Sequence, residues 1–255
     1  MDVQREVEFF DDFEAKHGDY DVLGEGAYRR LLNWFDRLAR PARGDKAIDL
    51  GCGTGAFTRR LAQAFPVDLT GVDISPRSIE RAKSLAGPEN YCVGDITRLA
   101  FPDASYDIIV YSGVLHHCDE RHVRVNILKE GLRLLKPGGR LFAYDPSWHS
   151  PSMWLYRDPA SPFFSSKGKT ENEVLLKRAE LQRELEEAGF GQIALHGAGG
   201  ITFRYVESSI ARLILPFYNL YELMLRFSPL ENRWGTFLIS SARKEAVASA
   251  KALAA

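Results

Sequence analysis

The segment Ala47-Ile48-Asp49-Leu50-Gly51-Cys52-Gly53-Thr54-Gly55-Ala56-Phe57 decides the fold. KAIDL, at 46–50, is a short apolar run of the kind a buried strand makes, and helical spacing starts at about Ala56. Between them, glycines allow a tight turn and let the backbone come close to a ligand. The same order recurs outward from this point. DLTGVD, at 68–73, is followed by a helix with Ser75 as its cap and Pro76 at its first position. YCVGD, YDIIVYSG and GRLFAYD continue the series, with a helix over about 120–135 between the last two. Parallel strands need crossover connections, so this alternation predicts an α/β fold with helices on both faces of the sheet.

The chain has 255 residues, 45% hydrophobic and 26% charged, which predicts a soluble globular protein with one core rather than a disordered, collagen-like or coiled-coil chain. Thirty-three basic residues against 34 acidic ones give a formal net charge of -1, without the positive field of a nucleic-acid binder. Three cysteines (Cys52, Cys92 and Cys118) without CxxC spacing, and no histidine cluster at zinc-ligand spacing, predict a reduced, cytoplasmic protein with no metal. The acidic start, MDVQREVEFFDD, does not read as a signal peptide. The greasiest stretch, 210–227, is interrupted by Arg212, Pro216, Asn219, Glu222 and Arg226 and is too broken to span a membrane.

Residues 1–45 read as a helical cap whose second amphipathic run, 28–38, is ended by Pro41; the core occupies 46–146. Residues 147–170 have neither helical nor strand period and carry Trp148, Met153, Trp154, Tyr156, Phe163 and Phe164, the composition of an irregular lid. A helix over about 171–188 closed by Gly189 and a strand near QIALH follow. Then comes a helical insertion at about 203–228, the strand-like GTFLISSA, and an Ala- and Lys-rich tail from 244. The insertion carries the apolar stripe Ile210, Leu213, Ile214, Phe217, Leu220, Tyr221, Met224 and Leu225. That stripe is either the buried face of a helix on the sheet or one wall of an apolar pocket. Arg212 and Arg226 flank it, but Glu222 within it weighs against peripheral contact with a membrane.

Two acidic residues mark the ends of the second and third strands. Gly51, Gly53 and Ala56 satisfy the dinucleotide pattern GxGxxG/A, and Asp73, about 20 residues on, is placed to accept from two ribose hydroxyls. Both features fit a nicotinamide dinucleotide as well as another adenosine cofactor. Asp95 after the third strand separates the readings, because it can accept from an adenine amino group while Ile96 packs on the ring. Each carboxylate alone also reads as a helix cap or loop residue.

In order and spacing, AIDLGCGTGAF, GVDIS, VGDITRLAF, YDIIVYSGVLHH and LLKPGGRLFAYDPS resemble the successive motifs of class I S-adenosylmethionine-dependent methyltransferases, over roughly 45–147. GTFLISSARK resembles the antiparallel last strand of that family. The resemblance implies a Rossmann-like, mostly parallel seven-stranded sheet that binds S-adenosylmethionine and releases S-adenosylhomocysteine. It implies that Asp49 and the backbone of Gly51, Cys52 and Gly53 surround the methionine part and that Asp73 holds the ribose, with Ile74 beside the adenine. Asp95 would meet the adenine amino group and Ile96 the ring, while the segment 111–114, including Ser112, closes over the methionine chain. An N-terminal aromatic, Tyr20 or Tyr28, would reach back to the cofactor.

A sulfonium methyl is already activated, so the protein has to align, desolvate and, for an oxygen nucleophile, accept a proton. Candidates at the carboxyl ends of the middle strands are His116, His117, Asp145 and His149, where a structural or cofactor-pocket role is the alternative for the histidines. The (N/D)PP(Y/F) signature of nucleic-acid amino methylation is missing: strand four ends in YSGV, and Asp145-Pro146-Ser147 lies on another strand. No paired-glutamate arginine site is visible. The expectation is a methyltransferase for a small apolar or aromatic acceptor, by O-methylation ahead of C- or N-methylation. An NAD(P)-dependent oxidoreductase and a non-catalytic cofactor-binding module remain as alternatives.

Overall fold

A computed structural model describes residues 7–8, 11–12, 21–164, 170, 172–206 and 208–246, with the side chain of Ile210 excepted. Tyr20 and the tail beyond 246 fall outside these residues, as does most of the helical reading of 1–20. In chain order the elements are α1 (Glu25–Ala39), β1 (Lys46–Leu50), α2 (Ala56–Ala64), β2 (Asp68–Asp73), α3 (Pro76–Ser84), β3 (Asn90–Val93) and β4 (Tyr106–Ser112). A short 3₁₀ turn (Leu115–His117) leads to α4 (Arg121–Leu134), β5 (Leu135–Pro146) and α5 (Pro151–Arg157). The chain continues with α6 (Arg178–Ala188), β6 (Gly191–Ala198), α7 (Ser209–Leu225), α8 (Glu231–Trp234) and β7 (Phe237–Arg243).

The seven strands run in the order β3-β2-β1-β4-β5-β7-β6. Pairings from β3 through β5 are parallel, and β7 runs antiparallel between β5 and β6. This is the Rossmann-like sheet that the sequence predicts, and its β5-β7-β6 end stands where a dinucleotide fold would begin a second mononucleotide half. Each face of the sheet packs a separate apolar layer. Tyr28, Leu31 and Phe35 of α1 with Phe57 and Leu61 of α2 bury one face against Ile108, Val110 and Phe142. Ile127 and Leu128 of α4 with Leu181 and Leu185 of α6 bury the other against Ile109 and Leu141.

Local chemistry sets the element ends. α3 starts where Ser75 Oγ accepts from Ser78 N, with Pro76 in its first turn. α6 stops at Gly189, whose left-handed φ of 100° suits a residue without Cβ.

Three expectations are modified. The described residues 147–164 of the expected lid are not structureless: Ser150 caps α5 by accepting from Met153 N, with Pro151 in the first turn. α6 begins at Arg178 and not near 171, because the segment before it is drawn along the end of β5. There Trp148 N donates to Leu176 O, Leu176 N to Pro146 O and Val174 N to His116 O. The insertion does form a helix, yet Leu213, Phe217, Leu220 and Met224 of its stripe are exposed, so that stripe is not the face laid on the sheet.

Candidate active site

The order β2-β1-β4 puts a topological switch between β1 and β4, since the chain leaves the two strands toward opposite sides, and open α/β sheets hold ligands at that point. A chamber of about 920 Å³ lies there, above the carboxyl ends of β1 to β5. The glycine turn forms its floor. Gly51 N and Cys52 N both donate to Val72 O, which pins the turn to β2. Gly51 has φ +80°, and a Cβ there would lie 2.4 Å from Val114 Cγ2. Gly53 has φ +53°, and a Cβ there would meet nothing within 4 Å, so its backbone borders open space.

Gly51, Cys52, Gly53, Asp73, Ile74, Asp95, Ile96 and Ser112 all line the chamber. Asp73 accepts from Gly53 N at 2.8 Å and from Ser75 N at 2.9 Å, locking the turn to the start of α3. Burial pushes its carboxyl up. Asp95 Oδ1 accepts from both Thr97 N and Thr97 Oγ1, so it is a loop-ordering carboxylate as well as a chamber residue. Burial also pushes up the Cys52 thiol.

Asp49 is placed differently. It is fully buried beneath the chamber floor, accepting from Thr58 Oγ1 at 2.7 Å and from Ser112 Oγ at 2.8 and 2.9 Å. Burial raises its pKa to about 6. Asp49 thereby orients Ser112, which does face the chamber. Of the N-terminal aromatics, Tyr28 lines the chamber, under the Arg60 guanidinium at 3.9 Å from its ring centroid.

His116 and His117 reach the chamber from the turn after β4. That turn is held from behind by Arg124, which donates to Cys118 O and Asp119 O and forms a buried ion pair with Glu184 of α6. His116 Nδ1 lies 2.9 Å from Asp145 Oδ1, and His116 N donates to the same oxygen. Asp145 is buried, and among the described residues its Oδ2 finds no hydrogen-bond partner. Burial raises its pKa to about 8, against the lowering effect of the His116 amide and the His117 charge. His149 is not brought to the chamber; it is exposed, edge-on to Trp148.

Among the described residues, His116, His117 and Glu173 offer ligand atoms within 4.8 Å of one another, the one grouping able to hold a metal ion. Glu173 comes from the segment before α6, a juxtaposition no sequence spacing shows. From the aromatic segment, Met153, Tyr156, Phe163 and Phe164 line the chamber while Trp148 and Trp154 do not. Sequence reasoning missed Tyr144, Val174, Leu175, Phe203, Leu215 and Tyr218, which complete its apolar wall. The hydrophobic runs that contain them were legible, but not the direction those runs face.

The lining suits an adenosine cofactor: two acceptor carboxylates, Asp73 and Asp95, at or just past consecutive strand ends, apolar Ile74 and Ile96 beside them, and open backbone at Gly53. The methyltransferase-domain family model matches residues 48–143. The 27-O-demethylrifamycin SV methyltransferase of Amycolatopsis mediterranei is 37% identical over 134 residues, 49% of this chain and 48% of that one. The demethylmenaquinone methyltransferase of Staphylococcus aureus is 31% identical over 182 residues, 62% of this chain and 73% of that one. The match thus spans about half the length of the rifamycin relative. In overall shape, a SAM-dependent methyltransferase of Thermotoga maritima, described as a possible histamine N-methyltransferase, superposes with a TM-score of 0.63 at 19% identity. That likeness covers 95% of this chain and 99% of the other and concerns the fold.

The chain belongs to the S-adenosylmethionine-dependent methyltransferases, and its cofactor is S-adenosylmethionine.

Proposed function

We propose that the protein methylates a hydroxyl of a small apolar or aromatic molecule, with His116 as the proton acceptor and Asp145 as its positioning partner. The observation that carries this reading is the His116–Asp145 pair at the wall of a chamber whose remaining surface is mostly apolar. The cofactor supplies a methyl group on a sulfonium. The remaining work belongs to the chain. Met153, Tyr156, Phe163, Phe164 and Phe203 enclose an apolar acceptor and keep water from the sulfonium. Nδ1 on Asp145 orients the imidazole so that Nε2 takes the hydroxyl proton as the new oxygen–methyl bond forms. The leaving group is neutral S-adenosylhomocysteine. Relatives named for a demethylrifamycin oxygen and for demethylmenaquinone support an apolar or aromatic acceptor.

The test is a panel of phenols, hydroquinones, amines and thiols with labelled cofactor, read by mass spectrometry. Hydroxyl acceptors should be methylated, and His116→Ala should lower kcat by about 10²- to 10⁴-fold, the usual contribution of a positioned base, without altering S-adenosylhomocysteine affinity. Methylation confined to amines, or a kcat insensitive to His116→Ala, refutes the reading.

A further inference from the structure

α7 carries two lengthwise stripes. Ala211, Leu215, Tyr218, Glu222 and Leu225 face the protein. Leu213, Phe217, Leu220 and Met224, with Phe227 just past the helix end, face outward at 78, 72, 57, 67 and 81% exposure. Two of the polar residues that interrupt this hydrophobic run, Glu222 and Asn219, turn inward. Glu222 is fully buried and accepts from Ile201 N and Thr236 Oγ1. Asn219 accepts from Phe203 N and donates to Phe203 O. The acidic residue that weighed against membrane contact therefore has no place on the outer surface. A face this apolar is far beyond the scattered exposed leucines of ordinary protein surface.

We propose that this face of α7 docks on a phospholipid bilayer with anionic headgroups, seating the chamber mouth at the headgroup layer. The mouth is marked by residues both exposed and lining the chamber: Leu155, Phe163, Phe164 and Ile214. Ile214 joins it directly to the outer stripe, so a helix lying in the interface opens the chamber toward the lipid phase. The charge at both ends fits anionic headgroups. Arg212 lies near one end of the stripe and Arg226 near the other, both exposed, and the one acidic side chain of α7, Glu222, is buried. Interfacial helices have this distribution, apolar on one face with arginine at the polar edge. A second copy laid on the stripe would cover the chamber mouth that Ile214 borders, whereas a bilayer leaves that mouth open to an apolar acceptor.

The experiment is co-sedimentation with vesicles of phosphatidylcholine alone or mixed with phosphatidylglycerol. The protein should pellet with the mixed vesicles, and Leu213→Ser/Phe217→Ser/Met224→Ser, none of which lines the chamber, should weaken this at least about tenfold. Arg212→Glu/Arg226→Glu should remove the preference for phosphatidylglycerol, as should raised salt on the wild-type protein. S-adenosylhomocysteine titration matching wild type confirms that each variant is folded. Wild-type protein that stays in the supernatant with both vesicles overturns the proposal, as does pelleting that the triple variant leaves unchanged. Light scattering that finds a dimer broken by the triple variant, without vesicle binding, assigns the face to a second copy and also overturns it. No methyl acceptor enters the assay, so vesicle binding and the O-methylation reading fail independently.

Discussion

Replacing Asp73 by Ala tests whether the carboxylate that holds the glycine turn also receives the ribose, the role proposed for it. In the structure each carboxylate oxygen takes one backbone N–H, Gly53 N at 2.8 Å and Ser75 N at 2.9 Å, which leaves lone pairs on both for two vicinal hydroxyls. Removing the carboxylate strands those donors as well as the ribose. A buried group left unpaired costs about 1 to 3 kcal/mol, so S-adenosylhomocysteine should bind about 5- to 150-fold more weakly. Asp73→Asn should fall between, because its amide keeps one acceptor oxygen but sets an N–H₂ against one of the two backbone donors. Isothermal titration with S-adenosylhomocysteine and its 2′-deoxy analogue resolves the contributions. Wild type should prefer the ribose, and Asp73→Ala should bind both ligands equally. A variant that keeps wild-type affinity, or that still discriminates against the deoxy ligand by tenfold, refutes the assignment.

Gly51→Ala should lose about 2 to 4 kcal/mol of stability, from left-handed backbone at φ +80° and the 2.4 Å approach to Val114, read as a denaturation midpoint. Burial raises the pKa of Glu222 to about 7. The folded state then binds more protons than the unfolded chain between about pH 4.5 and 7, so this group's contribution to stability falls as pH rises through that window. Going from pH 6 to pH 8 should cost about 1.3 kcal/mol, or about 3 to 5 °C in melting temperature, and Glu222→Gln should abolish that part of the slope. Chelation by EDTA should leave methyl transfer intact if His116 acts as a base. Activity lost on chelation and restored by a divalent cation would assign His116, His117 and Glu173 to a metal instead.

What was legible in the sequence is what is local in the fold. The β1 turn and α2 follow from consecutive residues, and Asp73 sits one βαβ crossover later, so strand period and glycine position locate both. Ser75-Pro76 and Ser150-Pro151 are the same helix-start signal, but only the first is plain in the sequence, because the second stands among aromatics and prolines that break any period. Asp49 shows the limit of reading roles from a motif: its type and place match, yet Thr58 and Ser112 hold it under the floor and it is Ser112 that faces the chamber. The His116–Asp145 and His116–Glu173 pairs join segments whose meeting depends on the β4-β5 register and on the course of 172–177, neither of which a single sequence states.

α7 shows why the acceptor side resisted where the cofactor side did not. A helix apolar nearly all round is ordinarily a buried one, and its hydrophobic period does not distinguish inside from outside. The polar residues decide it. A buried carboxylate or amide needs partners, and Glu222 and Asn219 find theirs in Thr236, Ile201 and Phe203, so the stripe that carries them must face the protein. The purely apolar stripe is left for the surface. Packing of α7 therefore does not require Leu213, Phe217, Leu220 and Met224 to be apolar; the requirement has to come from whatever covers them, which a vesicle and three serine substitutions can test.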